Sequence, residues 1–310
     1  MTDSDDDADP HLQVLTPEEM LQHGMKLIGW NERQLRRKSK KRWRKWCILF
    51  AADFGAKPHV VCQIWEDLQT TALKEAYLHP NQRNLDQFLY ALHFLKAYPT
   101  EKQRQNKWHV CDRLLRDSGW FFVERIAALK ELKIVWLNTG NDIWCGSVDG
   151  THIKSWEPTH DKYPKDPSAF SWKHHSAGFN CEVVLSLKES KIIWLNGPFE
   201  AGTNDISMFT AQGGLCEKLR EAEKMVIADN GYRGYDDVIS RPNSIDSPEV
   251  AKFKNRARCR HEAVNGMIKH YKCTDSAAFQ HGIDKFALCF DAAAVITQYR
   301  MELGEPLFEV

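Results

Sequence analysis

The hydrophobic pattern of the chain changes near residue 139, and this change constrains the fold more than any other feature. Between residues 58 and 132, apolar side chains recur at three- and four-residue spacing, which predicts helices. After residue 139, short runs rich in Val and Ile predict strands, with helices among them. The order strand, hairpin, helix, strand, helix predicts an α/β fold with a mixed sheet and flanking helices, preceded by an α-helical region.

Composition excludes several classes of protein. The 310 residues are 43% hydrophobic and 27% charged, which is typical of a soluble folded protein. An acidic start without an apolar segment argues against a signal peptide, and the longest apolar runs are too short to cross a bilayer. The nine cysteines are scattered without a C-x-x-C pair, so we expect neither a disulfide framework nor a zinc ribbon. A reducing compartment is therefore expected.

A dense basic run occupies residues 33–45 and reads RQLRRKSKKRWRK. Lys+Arg and Asp+Glu number 42 each, so this run is a local excess rather than part of an overall basic charge. It is typical of a nuclear-import signal or a phosphate-binding segment, and equally of a solvated helix face. The candidate DNA-contacting residues in it are Arg36, Arg37, Lys40, Lys41 and Arg42.

The helical region that follows is interrupted at two places in the sequence. Breaks are predicted at residues 99–101 and at residues 117–119, where Pro or Gly accompanies polar residues. A turn at residues 117–119 before a helix at residues 120–129 would suit a helix-turn-helix, and a plain helical bundle explains the pattern as well.

Two aspartates follow apolar runs that are predicted to be strands. Asp149 directly follows the apolar run at residues 143–148 and precedes Gly150. Asp229 directly follows the apolar run at residues 225–228 and precedes an Asn-Gly pair. Acids at strand ends lie where α/β sheets usually carry their active sites, although a single such Asp is more often a turn cap.

A third acid lies on a helix predicted to begin at Ser247 and Pro248. Arg258, Glu262 and Lys269 fall within roughly 40° of one another on that helix, as a surface salt-bridge stripe also would. If the three acids converge, their oxygen ligands would select Mg²⁺ or Mn²⁺ and support displacement at phosphorus.

Four motifs in this order resemble the DDE-superfamily endonuclease domain of PIF/Harbinger-type transposases. SVDGTHI at 147–153 looks like the first-acid motif, and NGPFEAGTNDISMF at 196–209 looks like the middle motif. VIADNGYRG at 226–234 looks like the second-acid motif, and RHEAVNGMIK at 260–269 looks like the glutamate helix. The resemblance covers about residues 143–310, whereas the N-terminal half matches no motif of the family.

The resemblance implies an RNase H-like fold with Asp149, Asp229 and Glu262 as the metal-binding catalytic triad. Asp205 matches a further acid grouped with the metal ligands, and a residue that supports those ligands without binding the metal, or that caps a loop, explains it equally well. Arg258 and Lys269 match the R-x3-E-x6-K signature of related transposases, whose cations contact DNA near the cut. The Ala-Val-Asn-Gly-Met that follows Glu262 departs from the Asn-x-Phe-Gly common in Harbinger-type helices.

The expected domains are an acidic, partly disordered tail (1–30), a basic and helical DNA-binding region (31–138) and an RNase H-like DDE endonuclease domain (139–310). The expected function is a divalent-metal-dependent DNA endonuclease or transposase that acts by a two-metal mechanism in the nucleus, with the cytoplasm as a further location. The expected partners are DNA, a separate Myb-like DNA-binding protein and further copies of the chain, with no membrane.

Two other functions remain open on the sequence. One is a domesticated DNA-binding or scaffolding protein that does not cut, and the other is a nuclease that acts on RNA or hybrids. Three aromatic residues near the acids, Trp156, Phe170 and Trp172, either stack on a displaced base or pack at the rim of the core.

Overall fold

The chain separates into two compact units, Met1–Leu129 and Lys130–Val310. The structure is a computed structural model, and it describes residues 14–35, 39–71, 85–137, 139–157, 166–275, 279 and 281–310. The boundary predicted from the sequence lies after residue 138. Each unit is described by itself.

The N-terminal unit is helical throughout the part that the structure describes. Its helices are α1 (Pro17–Leu27), α2 (Glu32–Leu35), α3 (Lys40–Phe54), α4 (Pro58–Thr70), α5 (Leu85–Ala97), α6 (Glu101–Trp108) and α7 (Asp112–Ala128). Aromatic rings form its core, since Phe88 of α5 lies 5.2 Å from the ring of Trp65 and 5.8 Å from that of Phe122. The predicted helical region is thereby confirmed.

The two predicted interruptions of this region have different outcomes. The break near residue 99 is confirmed, because α5 ends at Ala97 and Thr100 caps the start of α6. The break at residues 117–119 is wrong, because α7 runs through it without a turn. The Ser118 hydroxyl donates to the Leu114 carbonyl one turn earlier, and the absence of a side chain at Gly119 leaves room for the Arg104 guanidinium. The helix-turn-helix with a turn at that place is therefore wrong as well.

The C-terminal unit combines a sheet with helices on both faces. Its helices are α8 (Lys130–Lys133), α9 (Asp205–Phe209), α10 (Leu215–Glu221), α11 (Pro248–Ile268) and α12 (Ile283–Glu302), with 3₁₀ turns at Pro167–Ala169 and Lys272–Thr274. Its strands are β1 (Trp144–Lys154), β2 (Phe170–Ser171), β3 (Ser176–Ser186), β4 (Ile192–Glu200), β5 (Met225–Ile227) and β6 (Ile239–Ser240).

The sheet is mixed, with the order β2-β3-β1-β5-β6 and β4 also paired with β3. β3 runs antiparallel to both β1 and β4, and the predicted hairpin of β3 and β4 is confirmed. β5 and β6 run parallel to β1 and β5, respectively. The predicted mixed sheet with flanking helices, preceded by a helical region, is confirmed and is consistent with an RNase H-like fold.

The two faces of the sheet bury different helices. On one face, Phe209 of α9 and Leu215 and Leu219 of α10 join a cluster with Val148 and Val184. On the other face, α12 packs against β3, where the rings of Phe286 and Phe179 are 4.4 Å apart. No helix in the described parts of the chain is long and apolar enough to cross a membrane.

We predict that Gly178→Ala destabilises the protein, because a Cβ at Gly178 would collide with the Ile153 backbone carbonyl on the paired strand. Overpacking against backbone costs about 2 kcal/mol or more, since backbone cannot move aside as a side chain can. Gly266→Ala is the matched control. A Cβ there meets no described atom within 4 Å, and alanine favours the helix by up to about 1 kcal/mol.

Thermal and urea unfolding followed by circular dichroism would measure both changes. An unfolding midpoint of Gly178→Ala equal to that of the wild type would contradict the close approach of β1 and β3.

Candidate active site

The parallel pairing of β1 with β5 places Asp149 and Asp229 side by side. Ser147 is in register with Ile227, and each aspartate follows its strand partner by two residues. Neighbouring strands lie about 4.8 Å apart, so the two carboxylates emerge at one level of the sheet. The first two predicted acids are therefore brought together.

The surroundings of Asp149 differ from the prediction in one respect. β1 does not end at Asp149 but continues to Lys154, with Asp149 opposite Val183 and Gly150 opposite Glu182. The predicted strand end and turn at Gly150 are wrong, because β3 extends far enough to pair with this whole segment. Asp229, by contrast, follows the end of β5, where its carboxylate accepts the Gly231 N–H at 2.7 Å.

Helix α11 is attached to β1 by a buried hydrogen bond. Ser147 and Asp149 share one face of the strand, because alternate side chains point the same way. The Ser147 hydroxyl donates to the Ala257 carbonyl at 3.2 Å, and its oxygen lies 3.0 Å from Nε2 of His261. Burial first, and then the charges of Arg260 and Arg258, lower the pKa of His261 to about 3, although Ser147 opposes the shift. A neutral His261 therefore fixes the helix beside Asp149.

The third predicted acid lies next to this attachment point. A pocket of about 210 Å³ is lined by Asp149 and Asp229 from the two strands and by Arg258 and Glu262 from α11. Lys269 follows the last residue of α11, and the pKa of Lys269 is lowered by burial while the charge of Asp149 opposes that shift. Arg258 and Glu262, which were predicted from their spacing, thus line one pocket with the strand acids.

Asp205 lies beside the same carboxylates. It begins α9, which Asn204 caps by accepting the Ser207 N–H at 2.8 Å. One Asp205 oxygen occupies the space that a Cβ at Gly150 would fill, and the other lies 3.1 Å from the Cβ position of Gly231. The ammonium of Lys173 is 3.6 Å from Asp205. Asn204 supplies the cap, so loop capping does not account for the position of Asp205.

Electrostatic repulsion identifies the site as one that favours a cation. Burial, then the charges of Asp229 and Asp205, raise the pKa of Asp149 to about 6, while the Gly150 backbone and Lys173 oppose the shift. Oxygen donors of this kind suit a hard divalent ion, whose charge would relieve the repulsion. Among the described residues, no three His, Cys, Asp or Glu side chains are placed to hold one ion together. The donor chemistry therefore fits Mg²⁺ or Mn²⁺, without a preformed three-ligand cage.

The predicted basic residues lie in the N-terminal unit. Lys40, Lys41 and Arg42 form the exposed first turn of α3, while Arg36 and Arg37 lie outside the described residues. Trp46, one turn further along, is buried and anchors the helix to its core. A groove of about 420 Å³ beside this turn is lined by Trp30, Arg33, Gln34, Arg42, Lys45 and Trp46.

A buried acid beneath the site escaped the sequence analysis. Glu182 lies opposite Gly150 on β3 and is fully buried. The side chains of Asn196, Trp194 and Tyr232 face its carboxyl group, although neither carboxyl oxygen makes a hydrogen bond of normal geometry within the described chain. Glu182 stands in the apolar run CEVVLSL, so a charged residue at an inward strand position was the one available signal.

We predict that Glu182 makes the protein less stable at high pH. Burial, and next the Asp205 carboxylate, raise the pKa of Glu182 to about 8 from an ordinary value of 4.5. The folded state therefore binds a proton that the unfolded state releases, and stability falls as the pH rises from about 4.5 to 8. Glu182→Gln keeps the shape and cannot ionise.

Urea unfolding of both proteins at pH 5.5 and pH 8 measures this difference. Only the wild type is expected to lose the Glu182 contribution, which reaches roughly 3 kcal/mol over that interval. Other titrating groups are common to both proteins and cancel in the comparison. Equal changes in the two proteins would show that Glu182 is not held in its protonated form.

The comparison with known families agrees with this geometry. Residues 148–298 match the family model described as DDE superfamily endonuclease. This segment begins within β1 and ends within α12, and it lies within the region of resemblance at residues 143–310. No curated protein and no solved structure matches the chain.

The C-terminal unit therefore contains a segment, residues 148–298, that matches the DDE superfamily of endonucleases. This match supports a nuclease-type function with DNA as the substrate. Divalent metals are the usual cofactors of the superfamily, in keeping with the oxygen donors of the pocket.

Proposed function

We propose that the protein is a divalent-metal-dependent DNA endonuclease of Harbinger type, with Asp149, Asp229 and Glu262 as the metal-binding acids. One observation carries the proposal: carboxylates from two adjacent parallel strands and from α11 line a single pocket that also contains Arg258. Asp205 is a further metal ligand in this proposal, because its carboxylate raises the pKa of Asp149 by its charge.

The metal supplies Lewis acidity for in-line displacement at phosphorus, which in a two-metal mechanism acts on both the attacking and the leaving oxygen. Asp149 and Asp229 would hold both ions, and Glu262 would hold one. Arg258 binds the phosphate at the pocket, and Lys269 neutralises the DNA backbone beside Asp149. His261 and Ser147 keep Glu262 in place. Strand transfer uses the same residues, with a released 3′-hydroxyl as the nucleophile instead of water.

The N-terminal unit binds DNA in this proposal. Lys40, Lys41 and Arg42 are exposed in the first turn of α3, where the helix dipole disfavours cations and a phosphate would offset their repulsion. The same basic segment directs the protein to the nucleus. A separate Myb-like protein and a second copy of the chain complete the assembly on DNA.

A second candidate is a domesticated protein that binds DNA without cutting it. The ion pair of Lys173 with Asp205 favours this function, because it occupies one of the candidate ligands with a cation of the chain itself. Within the described residues, the lack of a ready three-ligand arrangement points the same way.

We predict that the wild-type protein nicks supercoiled DNA with Mg²⁺ or Mn²⁺, and that Asp149→Asn and Glu262→Gln lower the rate at least roughly 100-fold. Each substitution keeps the shape of a side chain and removes the charge that holds the metal. Glu249→Gln is the matched control, since Glu249 is exposed in the first turn of α11 and does not line the pocket. Gel separation of nicked from supercoiled plasmid gives the rates.

Three results would contradict the proposed function. Cutting that survives both substitutions would place the active site elsewhere. DNA binding without cutting by the wild type would favour the domesticated protein or a requirement for its partner. Faster cutting of RNA or of an RNA–DNA hybrid would identify a nuclease with a different substrate.

We predict that replacing Lys40, Lys41 and Arg42 together by Ala weakens DNA binding and flattens its dependence on salt. Three lost phosphate contacts should reduce the slope of log K against log[salt] by about 2.7. The control replaces Lys102, Arg113 and Arg116 of the same unit, which are exposed cations on α6 and α7. Fluorescence anisotropy from 50 to 200 mM salt measures the slopes. Equal slopes for the two triple variants would remove the basic turn of α3 from the DNA contact.

A further inference from the structure

A hairpin turn that the proposed mechanism leaves unused projects beside the carboxylates. It connects β2 to β3 and consists of Trp172, Lys173, His174 and His175, all of them exposed. The indole of Trp172 is 78% exposed, and its one ring contact among the described residues is an edge contact with Phe170 at 5.2 Å. Burying an indole is strongly favourable, so an indole left this open is available to a ligand.

We propose that this turn is a nucleobase site, in which Trp172 stacks on an unpaired base of DNA while Lys173 contacts the adjoining phosphate. This inference rests on the proposed function, because it assumes that DNA is the substrate. It adds a binding subsite and a requirement for an unpaired base.

The turn is held in a defined position, as a stacking site requires. The ring of His174 stacks on that of His152, with centroids 4.5 Å apart and planes 5° apart. Both ring nitrogens of His152 are hydrogen-bonded, to Asn180 and to Ser176, at 2.9 Å each. The His174 N–H donates to the Ser171 hydroxyl at 3.3 Å. A ligand that binds here therefore orders little of the protein, which favours affinity.

The turn also lies within reach of the acids. Lys173 extends from the residue next to Trp172 to within 3.6 Å of Asp205, and Asp205 fills the space beside Gly150. The distance from the turn to the predicted metal-binding carboxylates is thus spanned by one lysine side chain. A base stacked on Trp172 would belong to a nucleotide next to the scissile phosphate.

The charge around the turn suits a phosphodiester strand. Burial lowers the pKa of His174, and the charges of Lys173, Lys269 and Lys154 lower it further. The charges of Lys269 and Lys154 also lower the pKa of His152, so these cations act on both stacked histidines. An aromatic face beside a group of cations is the usual arrangement for single-stranded nucleic acid. In a duplex, the neighbouring bases cover each base face, so only an unpaired base can stack on the indole.

Binding of labelled strands by the full chain in EDTA tests this site without cutting. The two probes are a 20-nucleotide oligo-dT and a strand of the same length with abasic sites throughout, which keeps the phosphates and removes the bases. We expect Trp172→Ala to bind oligo-dT roughly 5- to 150-fold more weakly than the wild type does, the range for loss of one stacked base. Binding of the abasic strand should not change.

Two further variants separate stacking from apolar contact. Trp172→Phe keeps an aromatic face and should bind oligo-dT within about threefold of the wild type, while Trp172→Leu should resemble Trp172→Ala. Unchanged circular dichroism and thermal midpoints confirm that the variants are folded, as expected for an exposed side chain.

Other outcomes would overturn the nucleobase site. Equal oligo-dT affinities of all four proteins would do so and would favour a protein ligand for the indole, while metal-dependent nicking stays intact. Equal losses on both strands would mean that Trp172 acts through Lys173 and the phosphate. If the wild-type protein binds neither strand and does not nick plasmid DNA, the proposed function itself is wrong.

Discussion

The parallel register of β1 with β5 is the constraint on which the candidate site depends. It sets Asp149 beside Asp229, and it brings Ser147 to the face where His261 can reach it. A buried hydrogen bond contributes only about 1 kcal/mol net, but leaving either partner unpaired in the core costs more. The Ser147–His261 bond therefore specifies where α11 packs, and Glu262 is carried with it. The relative positions of the three acids are therefore set by the β1–β5 register and by a hydrogen bond within the core.

The same arrangement balances charge across the site. Asp149, Asp205 and Asp229 repel one another, and the positive charge of Lys173 offsets part of this repulsion. Burial and the charge of Asp205 raise the pKa of Glu182 beneath them, which disfavours a fourth negative charge there. Arg258 lines the pocket together with the acids, and Lys269 interacts with the charge of Asp149. Cations at such a site attract a polyanion.

Much of this was predictable from the sequence, because periodicity and strand-end acids are local signals. The strands, the hairpin of β3 and β4 and the start of α11 at Ser247 follow from patterns of a few residues. The continuation of β1 beyond Asp149 could not be predicted in this way, because Gly150 is typical of a turn. The strand continues there because β3 is long enough to pair with it. The continuous helix through Gly119 depends on Arg104, which lies 15 positions away in the sequence. Glu182 and Lys173 were missed because their significance arises from residues that are distant along the chain.

The connection between the first two acids has a consequence for how such a domain can diversify. β1 and β5 are neighbours in the sheet, yet the chain between them forms β2, β3, β4, α9 and α10. Turns within this connecting segment can be lengthened without shifting the register of β1 against β5, because hydrogen bonds between the two strands set the register. The path from β5 to Glu262 is different, since it passes directly through β6 into α11. Turns of the first interval can thus change without moving Asp149 relative to Asp229, whereas a shift of α11 in the second interval would move Glu262.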